Sequence, residues 1–307
     1  MRPAWSVILL TTLIGTGQGL FLAVFSVDLL KGNPARTLVM ASCAVSLLLL
    51  VCGLLASFFH PGRPERAWRA ASQWRTSWLA REVIVLPAFM ALVFLYGALH
   101  FLESERALVV AAGLAAAALC FALFVCTGMI YACLKFLREW HTPLTLINYF
   151  LLGTASGFTL AVPLAVLAYP QFAGPLSLAA FGLGAAAWLA RCASLLRNAR
   201  LRPKSTMAST IGVPHPRIVQ NAQGFTGGSF NMREFFHGRP DAVLRAARWT
   251  FLILVFPVPA WLLGWGGGSL ATFVAAFALQ FTGLLAERWY FFAETRHPQN
   301  LYYQAAS

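Results

Sequence analysis

At 307 residues with a formal net charge of +13, the chain is 59% hydrophobic and only 11% charged, about half the charged share of an ordinary soluble domain. So few charges cannot cover a water-facing surface around so much apolar content, which excludes a soluble globular protein and makes lipid the solvent.

Taken in order, the apolar runs cover residues 5–30, 37–59, 82–102, 107–131, 146–169, 176–195, 249–265 and 270–292. Each is close to the roughly 20 residues a helix needs to cross a bilayer. The first is too long for the core of a cleavable leader and has no small-residue cleavage site close behind, so it is expected to remain as a span. The runs are continuous and do not alternate, which favours helices over barrel strands. The expectation is a single all-α integral membrane domain over 1–307 with eight transmembrane helices.

Charge then orients the bundle. With eight spans, both termini and the second, fourth and sixth connectors share a face. That face carries Arg2; Arg63, Arg66, Arg69, Arg75 and Arg81; Lys135 and Arg138; nine basic residues from Arg197 to Arg248; and Arg288 and Arg296. The other face has Lys31, Arg36 and Arg106. The positive-inside rule places both termini in the cytoplasm of a cell inner membrane, and it explains the basic balance without nucleic acid.

The six cysteines, Cys43, Cys52, Cys120, Cys126, Cys133 and Cys192, fall in or at the edges of spans, show no CxxC or ferredoxin spacing, and read as small buried hydrophobes. No iron–sulfur cluster is expected in this chain. No haem is expected either, because none of His60, His100, His141, His215, His237 and His297 is mid-span.

Most connectors are short, but residues 197–248 form a long loop, too aromatic for plain disorder, that is expected to dock a partner. Its candidate contacts are Arg217, Phe225, Arg233, Glu234 and His237. Its Gly227-Gly228 turn lacks the strand and the Lys-Ser/Thr of a phosphate loop, which argues against nucleotide binding. Phe58-Phe59-His60-Pro61-Gly62-Arg63-Pro64 is echoed by Phe235-Phe236-His237-Gly238-Arg239-Pro240. The echo precedes the third and seventh spans, as two parallel four-helix halves would have it.

His60 and Glu82 bracket the basic second connector, at the ends of two apolar runs. Ionisable groups held at hydrocarbon are costly and usually functional. A histidine and a carboxylate at one membrane face suit a two-proton, two-electron carrier such as a quinone. The alternatives are an interfacial histidine capping a helix and an acid stabilising a helix N-terminus beside Arg81. Arg63, Arg66 and Arg81 are candidates to polarise quinone oxygens or simply to anchor the face, and Trp68 to stack on the ring or to sit in the interfacial belt. Tyr131 and His141 end the fourth span on the same face. Glu287 and Arg288 read as an ion pair at a helix end, and the Gly/Ala clusters at 111–118 and 182–187 as close helix packing. Pro163, Pro257 and Pro259 are the serious interruptions. A secondary transporter or a purely structural anchor are the rival classes, and the near absence of mid-span polar groups weighs against transport.

The FFHPGRP and RAW segments with the Arg81-Glu82 pair, the GFTGGSFNMREFFHG loop and the ending AERWYFFAETRHPQNLYY resemble the membrane anchor subunits of dimethyl sulfoxide reductase-type enzymes, over nearly the whole chain. The resemblance implies a non-catalytic subunit of an oxidoreductase complex. Its partners would be a molybdopterin catalytic subunit and a four-cluster iron–sulfur subunit, and it would exchange electrons with the quinone pool without a metal of its own. It implies His60 and Glu82 as the quinone-site residues. It is compatible with quinol oxidation in dimethyl sulfoxide-type reduction and with quinone reduction in sulfite oxidation, and the Arg/Ala-rich character leans to the sulfite branch.

Overall fold

The computed structural model describes residues 3–31, 36–59, 64–202, 206–215, 218 and 241–296. The helices are α1 (Trp5–Lys31), α2 (Arg36–Ser57), α3 (Trp78–Phe101), α4 (Arg106–Ala132), α5 (Pro143–Ala168), α6 (Ala173–Ala199), a short α7 (Met207–Ile211), α8 (Asp241–Val255), α9 (Pro257–Trp265) and α10 (Leu270–Ala293). A 3-10 helix, Pro64–Gln73, links α2 to α3. No strand occurs among the described residues. Eight spans are long and apolar enough to cross a membrane, with α8 and α9 together making the seventh.

Local chemistry sets the ends. Ser77 is extended, and its side chain accepts the backbone N–H of Ala80, so α3 starts at Trp78 rather than at Glu82. Glu82 therefore lies past the first turn and does not cap the helix. Thr142 caps α5 ahead of Pro143, whose missing N–H is harmless in a first turn. Ser269 caps α10 through Thr272. The seventh span breaks at Phe256, because Pro257 has no N–H to continue α8. Pro163 stays inside an unbroken α5, and Pro87 inside an unbroken α3. The seventh span also starts earlier than expected, at Asp241, so Arg245 and Arg248 are helical and not part of a loop.

The bundle is built around α1, the span with the largest buried share. It packs against α2, α4, α5 and α10, while α5 packs against α1, α4, α6 and α10. The α1–α5 crossing is glycine-based. A Cβ on Gly19 would lie 2.3 Å from the Gly153 carbonyl oxygen, and one on Gly157 would lie 2.1 Å from the backbone of Gly19 and Leu20. Gly15/Gly19 and Gly153/Gly157 are thus paired small-xxx-small motifs, which let two backbones touch where lipid offers no hydrophobic drive to associate. By contrast, Gly182 and Gly184 on α6 face open space. The expected close packing at 182–187 is not made by its glycines, although Ala187 is fully buried. Cys43, Cys120 and Cys126 are buried as expected, whereas Cys52 and Cys133 point outward.

Candidate functional site

Glu82 leaves α3 toward the bundle interior and is 6% exposed. It lines a small cavity with Thr11, Thr12 and Gln18 of α1, Thr127 of α4, Tyr149 and Ser156 of α5 and Arg288 of α10. The cavity offers about 20 Å³ to a water-sized guest, room for about one water and none for an aromatic ring. The Thr127 hydroxyl donates to Glu82 Oε1. Thr11 and Thr12 donate to carbonyls one turn back at 2.9 and 2.8 Å, which leaves their oxygens as acceptors. Thr16 and Ser156 meet at 3.1 Å across the α1–α5 crossing, and Gln18 Nε2 donates to the Cys120 carbonyl at 2.9 Å. These buried groups put more polar chemistry inside the spans than the apolar runs imply.

The acids of the described bundle fall into two kinds. Asp28, fully buried near the opposite end of α1, accepts from Tyr96 Oη and Arg106 Nη1, each at 2.7 Å, and lies 3.4 Å from His100 Nε2. Glu287 pairs with Arg191 Nε at 2.8 Å and with Arg288 Nε at 2.5 Å. Glu294 accepts from Asn198 at 3.0 Å and lies 3.8 Å from Arg191 Nη1. Burial pushes the Glu294 carboxyl above the ordinary carboxylate range, against the opposing pull of Arg191. Glu82 differs from all three. Among the described residues it has no ion pair, only the Thr127 hydroxyl.

Glu287 and Arg288 do form the expected pair, but it is not a helix-end surface pair: both are buried, and Arg191 of α6 completes the group. Arg288 also lies over the Tyr149 ring at 4.1 Å. Tyr149 stacks on Tyr131, which sits in an aromatic cluster with Trp140, Phe291 and Phe292. Sequence inspection missed Arg191, Tyr149 and Thr127. The usable signal was Arg191 itself, a lone charge about one turn inside the end of the sixth apolar run.

The structure separates the other candidates from Glu82. Arg81 points back to the connector, donating to the carbonyls of Trp74 and Arg75 at 2.9 Å each and lying over the Trp78 ring. Arg66 is exposed beside Glu65, and Trp68 is exposed on the 3-10 helix. His141 Nδ1 lies 2.6 Å from the Ala132 carbonyl, outside the Glu82 cavity. His60 and Arg63 lie outside the described residues, as do the docking candidates Arg217, Phe225, Arg233, Glu234 and His237. No grouping of His, Cys, Asp and Glu suited to a metal ion occurs among the described residues.

A profile of the DMSO reductase anchor subunit (DmsC) family matches residues 1–215, which is α1 through α7. The C subunit of the sulfite dehydrogenase of Allochromatium vinosum is 50% identical over 330 aligned positions, covering all of both chains. The chain belongs to the DMSO reductase anchor subunit family. As a member of that family it is a multi-pass membrane subunit of a larger complex, and its eight spans are the anchoring device. The family match ends before α8, so Arg288, Glu287 and Glu294 lie beyond it, while Glu82, Thr127 and Tyr149 lie within it.

Proposed function

We propose that this chain is the quinone-reactive membrane anchor of a three-subunit molybdopterin oxidoreductase. An iron–sulfur partner subunit supplies or accepts electrons, and the anchor lets the quinone pool exchange them together with protons. The similarity to a sulfite dehydrogenase subunit favours sulfite oxidation coupled to quinone reduction. The observation that carries the reading is Glu82: a carboxyl buried in a spanning helix with no basic partner among the described residues. Asp28 and Glu287 are clamped by arginines, whereas an acid kept free of such clamps is available to gain and lose a proton.

The water-sized cavity beside Glu82 supports a carboxyl that serves the quinone through water rather than forming a wall of the ring pocket. His60, on the connector that follows α2, is the group proposed to meet the quinone oxygen. Arg63, Arg66, Arg81 and Trp68 belong to the same connector region and shape the approach to it. The segment between α6 and α8, with Arg217, Phe225, Arg233, Glu234 and His237, is proposed to dock the iron–sulfur subunit on the face that carries both termini. By the excess of arginine that face is the cytoplasmic one.

The test is Glu82→Gln in the assembled complex, with turnover measured toward quinone and, in parallel, toward a soluble dye that takes electrons directly from the catalytic subunit. Quinone-linked kcat should fall by about 100-fold, at the low end of acid–base contributions, with dye-linked turnover unchanged. Normal quinone kinetics in this variant would remove the reading.

A further inference from the structure

Two side chains, Tyr149 and Arg288, line both the Glu82 cavity and a second small cavity that contains Arg191, Asn148, Asn198, Glu287, Glu294 and Glu139. We infer that Glu294 and the Tyr149 hydroxyl, bridged by water, form a proton path that supplies Glu82 from the face carrying both ends of the chain. This deepens the reading of Glu82 as the proton-exchange group for quinone and rests on it.

The linings of the two cavities support the path. The second cavity offers about 10 Å³ to a water-sized guest, so each cavity suits about one water. Asn148 Oδ1 and Arg191 Nη2 are buried without a hydrogen-bond partner among the described residues, and the Tyr149 hydroxyl lies beside Arg288 and Tyr131. Asn148 and Arg191 line the second cavity, and Tyr149 lines both. Water is the guest that satisfies such donors and acceptors together. At the outer end, the Glu294 side chain is 10% exposed, and half-buried Glu139 reaches the backbone N–H of Arg296. The guanidinium groups of Arg191 and Arg288 do not release protons. They hold Glu287 and the Tyr149 ring in position, while the Glu294 carboxyl, the Tyr149 hydroxyl and water carry the proton.

The opposite direction is closed. Between Gln18 and Asp28, α1 buries Leu20, Phe21, Val24, Phe25 and Val27. Phe21 meets Phe89 and Tyr96 edge-on at 5.6 and 5.7 Å. This dry layer separates the Asp28 cluster from the Glu82 cavity. Each quinone reduced to quinol takes two electrons from the iron–sulfur partner and two protons, both delivered from the terminal face; quinol oxidation returns them the same way. The charged and titratable groups facing Glu287 and Glu294 are Arg191 from α6, Tyr149 from α5, Arg248 from α8, Glu139 from the α4–α5 connector, and Arg288 and Tyr290 on α10 itself.

The experiment compares Tyr149→Phe and Glu294→Gln in the assembled complex, reading kcat and KM for a short-chain quinone across pH, with dye-linked turnover alongside. Tyr149→Phe and Glu294→Gln should each lower quinone-linked kcat by about tenfold. The loss should deepen toward alkaline pH, where protons to collect are scarce, with KM and dye-linked turnover unchanged. Tyr149→Phe removes one hydroxyl and leaves every ion pair in place, so it decides the matter even if Glu294→Gln does not assemble. A wild-type kcat and pH profile in Tyr149→Phe and Glu294→Gln overturns the path, and so does a raised KM at unchanged kcat. Glu82→Gln run beside them separates the two ideas. Slow Glu82→Gln with normal path variants removes the path alone, whereas normal Glu82→Gln removes the quinone reading itself.

Discussion

Adding one methyl group at Gly157 should split the centre of the bundle. The new Cβ would sit 2.1 Å from the backbone of Gly19 and Leu20, where ordinary contact begins at 3.4 Å, so α1 and α5 must part by about 1.3 Å. The obstacle is backbone and has no rotamer to yield. A gap of 0.5–1 Å already forfeits a quarter to a half of each dispersion contact, and the Thr16–Ser156 bond across the same crossing, now 3.1 Å, would open as well. Overpacking of this kind costs about 3 kcal/mol, the upper part of the usual range. The better helix propensity of alanine returns about 1 kcal/mol. The net loss of about 2 kcal/mol corresponds to a fall of about 4–8 °C in Tm on the scale of mid-sized domains. Gly184→Ala is the matched control: it has the same propensity gain and no atom within 4 Å of the new Cβ, so it should be neutral or slightly stabilising. Thermal unfolding of the two purified variants in one detergent reads the difference directly. If Gly157→Ala melts with Gly184→Ala, the α1–α5 contact has slack and the glycine argument is wrong.

Arg191→Met alone should destabilise by about 3–5 kcal/mol, because it leaves Glu287 and Glu294 buried beside one another with a cation removed, whereas Arg191→Met with Glu287→Met should recover most of that loss; chemical denaturation of both variants checks the pairing. Tyr96→Phe removes a 2.7 Å bond to fully buried Asp28 and should cost about 1.5–3 kcal/mol. It should leave quinone-linked turnover unchanged, since Asp28 lies beyond the dry layer, and a parallel melting curve and quinone assay test both halves of that statement.

Much of the fold was legible because spanning helices announce themselves by length. Eight apolar runs became eight spans, and the errors were at ends where caps outrank hydropathy: Ser77 and Thr142 start α3 and α5 before the apolar run begins, and Asp241 starts α8 in polar sequence. Packing was harder to read. Glycine clusters look alike in sequence, yet Gly15, Gly19, Gly153 and Gly157 close a crossing while Gly182 and Gly184 line open space, and only the facing helix distinguishes them. Glu82 stood out because it is an acid beside an apolar run. Arg191, Thr127 and Tyr149 did not, because their roles come from α4, α5, α6 and α10 converging on one depth, which no local pattern encodes. The Glu287-Arg288 pair was visible as a pair, but its burial was not, since neighbours on one helix say nothing of what covers them.

Comparison of Asp28 with Glu82 supports placing the proposed proton chemistry at one end of this bundle. Asp28 is saturated: a tyrosine hydroxyl and an arginine bond its carboxylate, and an imidazole lies within 3.4 Å. Adding a proton there would break charge-assisted bonds, so the group serves as a clamp joining α1, α3 and α4. Glu82 has one hydroxyl donor and a water-sized space, and protonation breaks little. A membrane subunit that must pass protons to a carrier needs an acid of the second kind, within a short reach of water. Glu82 lies in the second turn of its helix, and the polar groups of α5, α6 and α10 converge at the same depth. The first kind holds the far ends of the helices together, beyond the apolar layer of Phe21, Phe25 and Phe89.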